Sequence, residues 1–114
     1  MTDQRFIIEM GMGNDLHGQD YQKAAARAIE DALRHSTLPL FEALDIPHTD
    51  MRVAVTVGVA KPEALDCDAL AALLPRGRAT VHAVSGGLDS HNPQTGTTLV
   101  IATAAVEAFL PPQA

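Results

Sequence analysis

The sequence predicts an α+β fold, a single β-α-β-(α)-β-β sandwich of about four strands with helices on one face. Three observations predict it. In "MRVAVTVGVA" the residues Val53, Val55, Val57 and Val59 alternate strictly, the mark of a strand. In "YQKAAARAIEDALRH" the small and apolar residues Tyr21, Ala25, Ala28, Ile29, Ala32 and Leu33 recur at helical spacing. A chain of 114 residues, 46% of them hydrophobic, suffices for one packed core and not for two, so one domain is expected, with its core over residues 5–109 and a frayed tail at 111–114.

Taken in order, "RFIIEMG" places Phe6, Ile8 and Met10 on one face of a first strand and Ile7 with Glu9 on the other, and this run is expected to end at Gly11. Asp20 is a good N-cap for the helix that follows. Ser36, Thr37 and Pro39 break that helix, and "LFEALDI" adds a short helical piece before Pro47. After the valine strand, closed by Pro62, "DCDALAALLP" reads as a short helix capped by Asp66 or Asp68. "RATVHAVSGG" is a third strand, "LDSHNPQTG" an exposed loop, and "TTLVIATAAVEAFL" a fourth strand. That last strand is almost wholly apolar from Leu99 to Val106, so its second face is expected to meet another subunit of a homo-oligomer, a trimer or larger ring.

Composition narrows the function classes. A net charge of −6, with Lys23 and Lys61 the only lysines, argues against nucleic acid as a partner. No apolar run is long enough for a membrane span. A single Cys67 and a start without a secretory layout make the cytoplasm the expected location.

The chemistry-bearing stretch is "GMGNDLHGQD", residues 11–20. It is not a dinucleotide fingerprint, because Leu16 stands where the third glycine belongs. Nor is it a phosphate loop, because Gly18 is followed by Gln19 and Asp20. Asp15 and His17, two apart, project to one side of an extended segment, where a carboxylate can orient an imidazole for acid-base work. The same pair could hold a divalent metal with Glu9 or His35 as third ligand. The alternative is that Asp15 satisfies loop amides and His17 packs on the helix start. Glu9 and Glu107 each interrupt an apolar strand and would share a site with His17 if their strands are neighbours. "SGGLDS" offers Ser85, Gly86, Gly87 and Asp89 as a second polar strand end, with Asp89 as a substrate anchor, or as a glycine bulge leading into a loop. His35 at a helix end and Cys67 between two aspartates read as structural.

"GMGNDLHG" fits the pattern GxGxDxHG of a family of uncharacterised proteins found in bacteria and plants, and "QDYQKAAARAIEDAL" with "HSTLP" resembles that family too, so the likeness runs from Arg5 to about Phe109. The resemblance implies that Gly11, Gly13, Asp15, His17 and Gly18 are motif positions; it brings no substrate. The element order also resembles the trimeric chorismate-mutase-like fold and the repeated domains of ring-opening cyclic amide hydrolases, where small ligands bind between subunits or domains. That second resemblance implies a substrate site from Gly11, Gly13, Gly18, Ser85, Gly86 and Gly87, although those hydrolases use Ser-Lys pairs and the first loop here has no lysine. The combined expectation is a small-molecule enzyme of hydrolase or lyase type, with His17 as acid or base, Asp15 as its orienter and Glu9 as a second carboxylate. The rival expectation is a non-catalytic ligand-binding or assembly module.

Overall fold

The computed structural model describes residues 4–16, 18–34, 50–74 and 77–111. The short helical piece expected at "LFEALDI" lies outside them, as do His17, His35 and His48. Five strands form one mixed sheet: β1 (Gln4–Asp15), β2 (Arg52–Val59), β3 (Arg78–Ser85), β4 (Leu88–Asn92) and β5 (Thr97–Leu110). The order is β1-β5-β2-β3, with β4 also on β5. β5 is the spine. It pairs antiparallel with β1 along one edge, and its other edge is shared by β2, over Thr103–Phe109, and β4, over Thr97–Ile101. β2 and β3 run parallel, joined through a single 3-10 turn (Pro62–Ala64) and the short helix α2 (Cys67–Ala71). The long helix α1 (Tyr21–Arg34) connects β1 to β2.

Local chemistry explains the helix starts. Asp20 accepts a hydrogen bond from the Lys23 N–H at 3.0 Å, and Asp66 accepts from the Ala69 N–H at 3.1 Å, each satisfying an amide that the first turn leaves unpaired. The core lies between the sheet and these helices. Val53, Val55, Val57 and Val59 of β2 and Val100, Ala102, Ala104, Val106, Ala108 and Leu110 of β5 are buried against Ala24, Ala25, Ala28, Ile29 and Ala32 of α1 and Leu70 of α2. The molecule is two layers thick, 19 Å in its smallest dimension. The other face of the sheet carries no helix among the described residues.

Two sequence expectations need correction. The four-strand count fails because Leu88–Asn92, read as loop, is β4. Its polar side chains show no apolar alternation; the strand is ordered by its ladder to β5 and by the Pro93–Gly96 turn, where the Gly96 N–H reaches the Asn92 carbonyl at 2.9 Å. The first strand also runs on to Asp15 instead of ending at Gly11. Gly11 and Gly13 are therefore strand residues, not loop residues, and they face α1. A Cβ on Gly11 would lie 2.4 Å from the Ala28 carbonyl oxygen, and one on Gly13 would lie 2.3 Å from the Ala28 nitrogen. Glycines two apart on the strand and alanines four apart on the helix let the two backbones approach to a distance no larger side chain permits.

Candidate functional site

The turn from β1 into α1 is organised by Asp15, which is 6% exposed. Its Oδ2 accepts from the Gly18 N–H at 3.0 Å and the Asp20 N–H at 2.9 Å, and Oδ1 lies 3.9 Å from Arg27. The Asp20 amide holds this carboxyl below its ordinary value, burial opposes the shift, and the Gly18 amide, Lys23 and Arg27 reinforce it. A carboxylate so engaged is an ionised acceptor at neutral pH and a poor proton donor. Beside it lies a recess of about 390 Å³ lined by Asp15, Leu16, Gly18, Asp20, Lys23 and Arg27.

Asp15 and Asp89 stand opposite the same residue, Val100, from the two sides of β5. Both therefore lie on the helix-covered face, roughly 10 Å apart at two strand spacings. Tyr21, the first residue of α1, donates its hydroxyl hydrogen to Asp89 Oδ2 and accepts from Gln19 Nε2 at 3.2 Å. The bond to Asp89 pushes the phenol above its ordinary value of 10.0, while the Gln19 contact pulls the other way. Asp89 Oδ1 is buried without a hydrogen-bond partner among the described residues. Gln19 takes a left-handed backbone, φ 51°, to make this corner.

The remaining expected site residues among the described ones are not brought to this corner. Glu9 shares the face of Asp15 but lies six strand residues away, roughly 20 Å. Glu107 is on the opposite face, where it pairs with Arg5 at 3.1 Å; β1 and β5 are neighbours, but register puts the two glutamates on opposite sides. Ser85 ends β3, and the Gly86 N–H donates to the Val59 carbonyl at 2.9 Å. Gly87, at φ 63°, crosses against β5 so closely that a Cβ would lie 2.2 Å from the Ile101 carbonyl oxygen. Ser85 and Gly86 line a groove on the uncovered face, away from Asp89. Among the described residues no group of three or more His, Cys, Asp or Glu is placed to hold a metal ion.

That groove, about 580 Å³, brings Gly11, Ser85 and Gly86 of the expected site beside residues that the sequence did not single out. Thr56, Gly58, Thr103 and Ala105 form its floor, with Met10 and Met12 along one side and Val84 and Ser85 along the other. Met10 is 69% and Met12 55% exposed, and Phe6 and Ile8 continue the apolar row along β1. Alternation already set these side chains opposite the glycines; the missing signal was which face the helix would cover.

Comparison with known proteins fixes the kinship. The family model described as conserved hypothetical protein, Lin0512, matches residues 5–108. The chain belongs to the Lin0512 family. A solved structure, that of an FtsZ-like protein of unknown function from Nostoc punctiforme PCC 73102, is 37% identical to this Lin0512 protein, with 98% of this chain and 99% of that chain covered and a TM-score of 0.83. No curated protein matches. The FtsZ-like match overturns the expected chorismate-mutase-like fold and the likeness to ring-opening cyclic amide hydrolase domains: this Lin0512 chain is an α+β fold with a five-stranded mixed sheet of the FtsZ-like kind. Element order alone does not decide the fold, because it leaves open which strands pair: here β5 lies between β1 and β2, and β2 runs parallel to β3. No helix among the described residues is long and apolar enough to cross a membrane.

Proposed function

We propose that this Lin0512 protein is a non-catalytic assembly module whose uncovered sheet face joins copies of the chain. One observation carries the reading. The face opposite α1 presents Phe6, Ile8, Met10 and Met12, each between 39% and 69% exposed, where a solvated antiparallel face would carry polar residues. From the strand lengths and spacings this face covers roughly 600 Å² in projection, comparable to the ~800 Å² that each partner of a stable complex buries. The engagement of Asp15 by two backbone amides supports a structural part for the motif. Action in the cytoplasm belongs to the same proposal.

Light scattering on a sizing column tests it. The wild type is expected to run as an oligomer, and a Met10→Glu/Met12→Glu double variant as a folded monomer; a wild type that is monomeric throughout the micromolar range overturns the reading.

The recess beside Asp15, flanked by Lys23 and Arg27, favours a second reading, small-molecule chemistry of hydrolase or lyase type with His17 as acid or base. Thermal-shift screening of wild type and His17→Ala against divalent metals and small cyclic amides tests that. A ligand that stabilises the wild type alone supports it, and no shift in either protein removes it.

A further inference from the structure

We infer that the assembly is a two-fold pair in which Met10 and Met12 of each copy seat in the other's groove over Gly58, Thr103 and Ala105. This inference rests on the assembly reading and names its contact.

An isologous interface requires one surface to be complementary to itself, so that what protrudes on a copy finds its hollow on the same face of the partner. The outer face has both features side by side. Met10 and Met12 protrude from β1, and the groove beside them is floored by residues with small side chains from β5 and β2. In register, Met12 lies opposite Thr103 and Met10 opposite Ala105, so a two-fold axis near these pairs brings each methionine row over the partner's floor. The groove, about 580 Å³, accommodates two unbranched side chains, since sites for whole small molecules begin at about 300 Å³. Methionine adapts its three torsions to such a hollow.

Charge points to a second copy as the occupant. The charged groups of this face lie toward one end of the sheet: Arg5 is paired with Glu107, Arg52 lies over the Phe109 ring at 4.1 Å, and Arg78 stands opposite Arg52 on β3, while His82 stands opposite Thr56. At the groove's edge Asp31 accepts the Met12 N–H at 2.9 Å and lies 3.8 Å from Arg34. The floor itself carries no charge. Nothing there selects a partner of opposite sign, and a chain with a net charge of −6 can approach its own copy across this neutral patch.

The test uses the full chain in a Cys67→Ser background. One preparation carries Met10→Cys and another Thr56→Cys; the two are mixed, equilibrated and treated with a short bismaleimide. A cross-linked heterodimer is expected, and Met12→Glu in both chains should remove at least nine-tenths of it. Thr103→Trp, which fills the floor at an exposed position, is expected to give a monomer with unchanged far-UV circular dichroism. If the chain is dimeric by light scattering but yields no heterodimer, and Thr103→Trp stays dimeric, the seating is wrong while the assembly reading stands. If the wild type is monomeric, both fall, and the groove is left open to a small apolar ligand.

Discussion

The two faces of one strand follow opposite rules. On its inner side β1 presents Gly11 and Gly13, which remove every side-chain atom so that α1 can lie on the backbone. On its outer side the intervening residues are Met10 and Met12, which extend into the open. A sheet with one covered face ordinarily places polar residues on the other. Along residues 10–13 of β1 the covered side carries the glycines and the uncovered side the methionines. The difference teaches that side-chain size alone does not rank these positions: a glycine at the helix contact is expected to resist substitution, and a methionine outside it is expected to be dispensable for folding.

Substitutions on the two sides should separate this most sharply. Gly13→Val forces branched carbon atoms against the helix backbone, and about 3 kcal/mol or more of stability should be lost, read as a large drop in the urea midpoint or as failure to fold. Met12→Glu, one residue away, should leave the midpoint of the folded chain within about 0.5 kcal/mol while changing the oligomeric state. Equal losses at both positions would erase the distinction between the faces.

Much of this architecture is legible in the residues themselves. The valine alternation of β2 and the alanine periodicity of α1 are visible because burial on one side imposes a period. β4 is not, since "LDSHN" is ordered by backbone pairing to β5 and by the bond from Tyr21 to Asp89, neither of which leaves an apolar pattern. Gly11 and Gly13 stand out in the sequence, but two glycines so close together read as a turn. Their partner in explanation, the Ala24, Ala28 and Ala32 row, lies on another element, and only the packing joins the two. Glu9 and Glu107 show the same limit: the residues suggest a pair, and a register one residue different would have made one.

The corner under the start of α1 gives effects of intermediate size. Tyr21→Phe removes the hydroxyl that bonds Asp89 Oδ2, leaving a carboxylate whose other oxygen is already buried without a partner among the described residues. A loss of about 1–3 kcal/mol is expected, and Asp89→Asn in the same background should recover part of it by removing the charge. Acid dependence follows from Asp15. Its carboxyl is held below the ordinary value chiefly by the Asp20 amide, so it binds its proton less readily folded than unfolded. The stability it contributes is present above about pH 4 and is lost as the pH falls through the lowered folded value. Asp15→Asn, which keeps an acceptor for the two amides, should flatten the acid limb of melting temperature against pH relative to the wild type.

The smallest expected effect concerns the edge of β1, which sets the two faces apart. Residues Met12 and Asn14 direct their peptide groups outward, away from β5, and both are capped by α1: Asp31 accepts the Met12 N–H at 2.9 Å, and Arg27 donates to the Asn14 carbonyl at 2.6 Å. By alternation Ile8 and Met10 direct theirs to the same edge, and no side chain among the described residues bonds them. An open strand edge invites pairing with another chain, and these caps occupy two of the groups such pairing would use. In hydrogen exchange the Met12 amide should be protected while those of Ile8 and Met10 are not. Asp31→Ala should speed exchange at Met12 by about 10- to 100-fold, the equivalent of a charge-assisted bond, and Asp31→Asn should restore it. Arg27→Ala together with Asp31→Ala should then add species larger than the wild-type assembly, whereas Met10→Glu/Met12→Glu removes the assembly itself. Opposite directions from the edge and the face separate the two contacts; a shift in the same direction would mean that β1 joins copies by its edge.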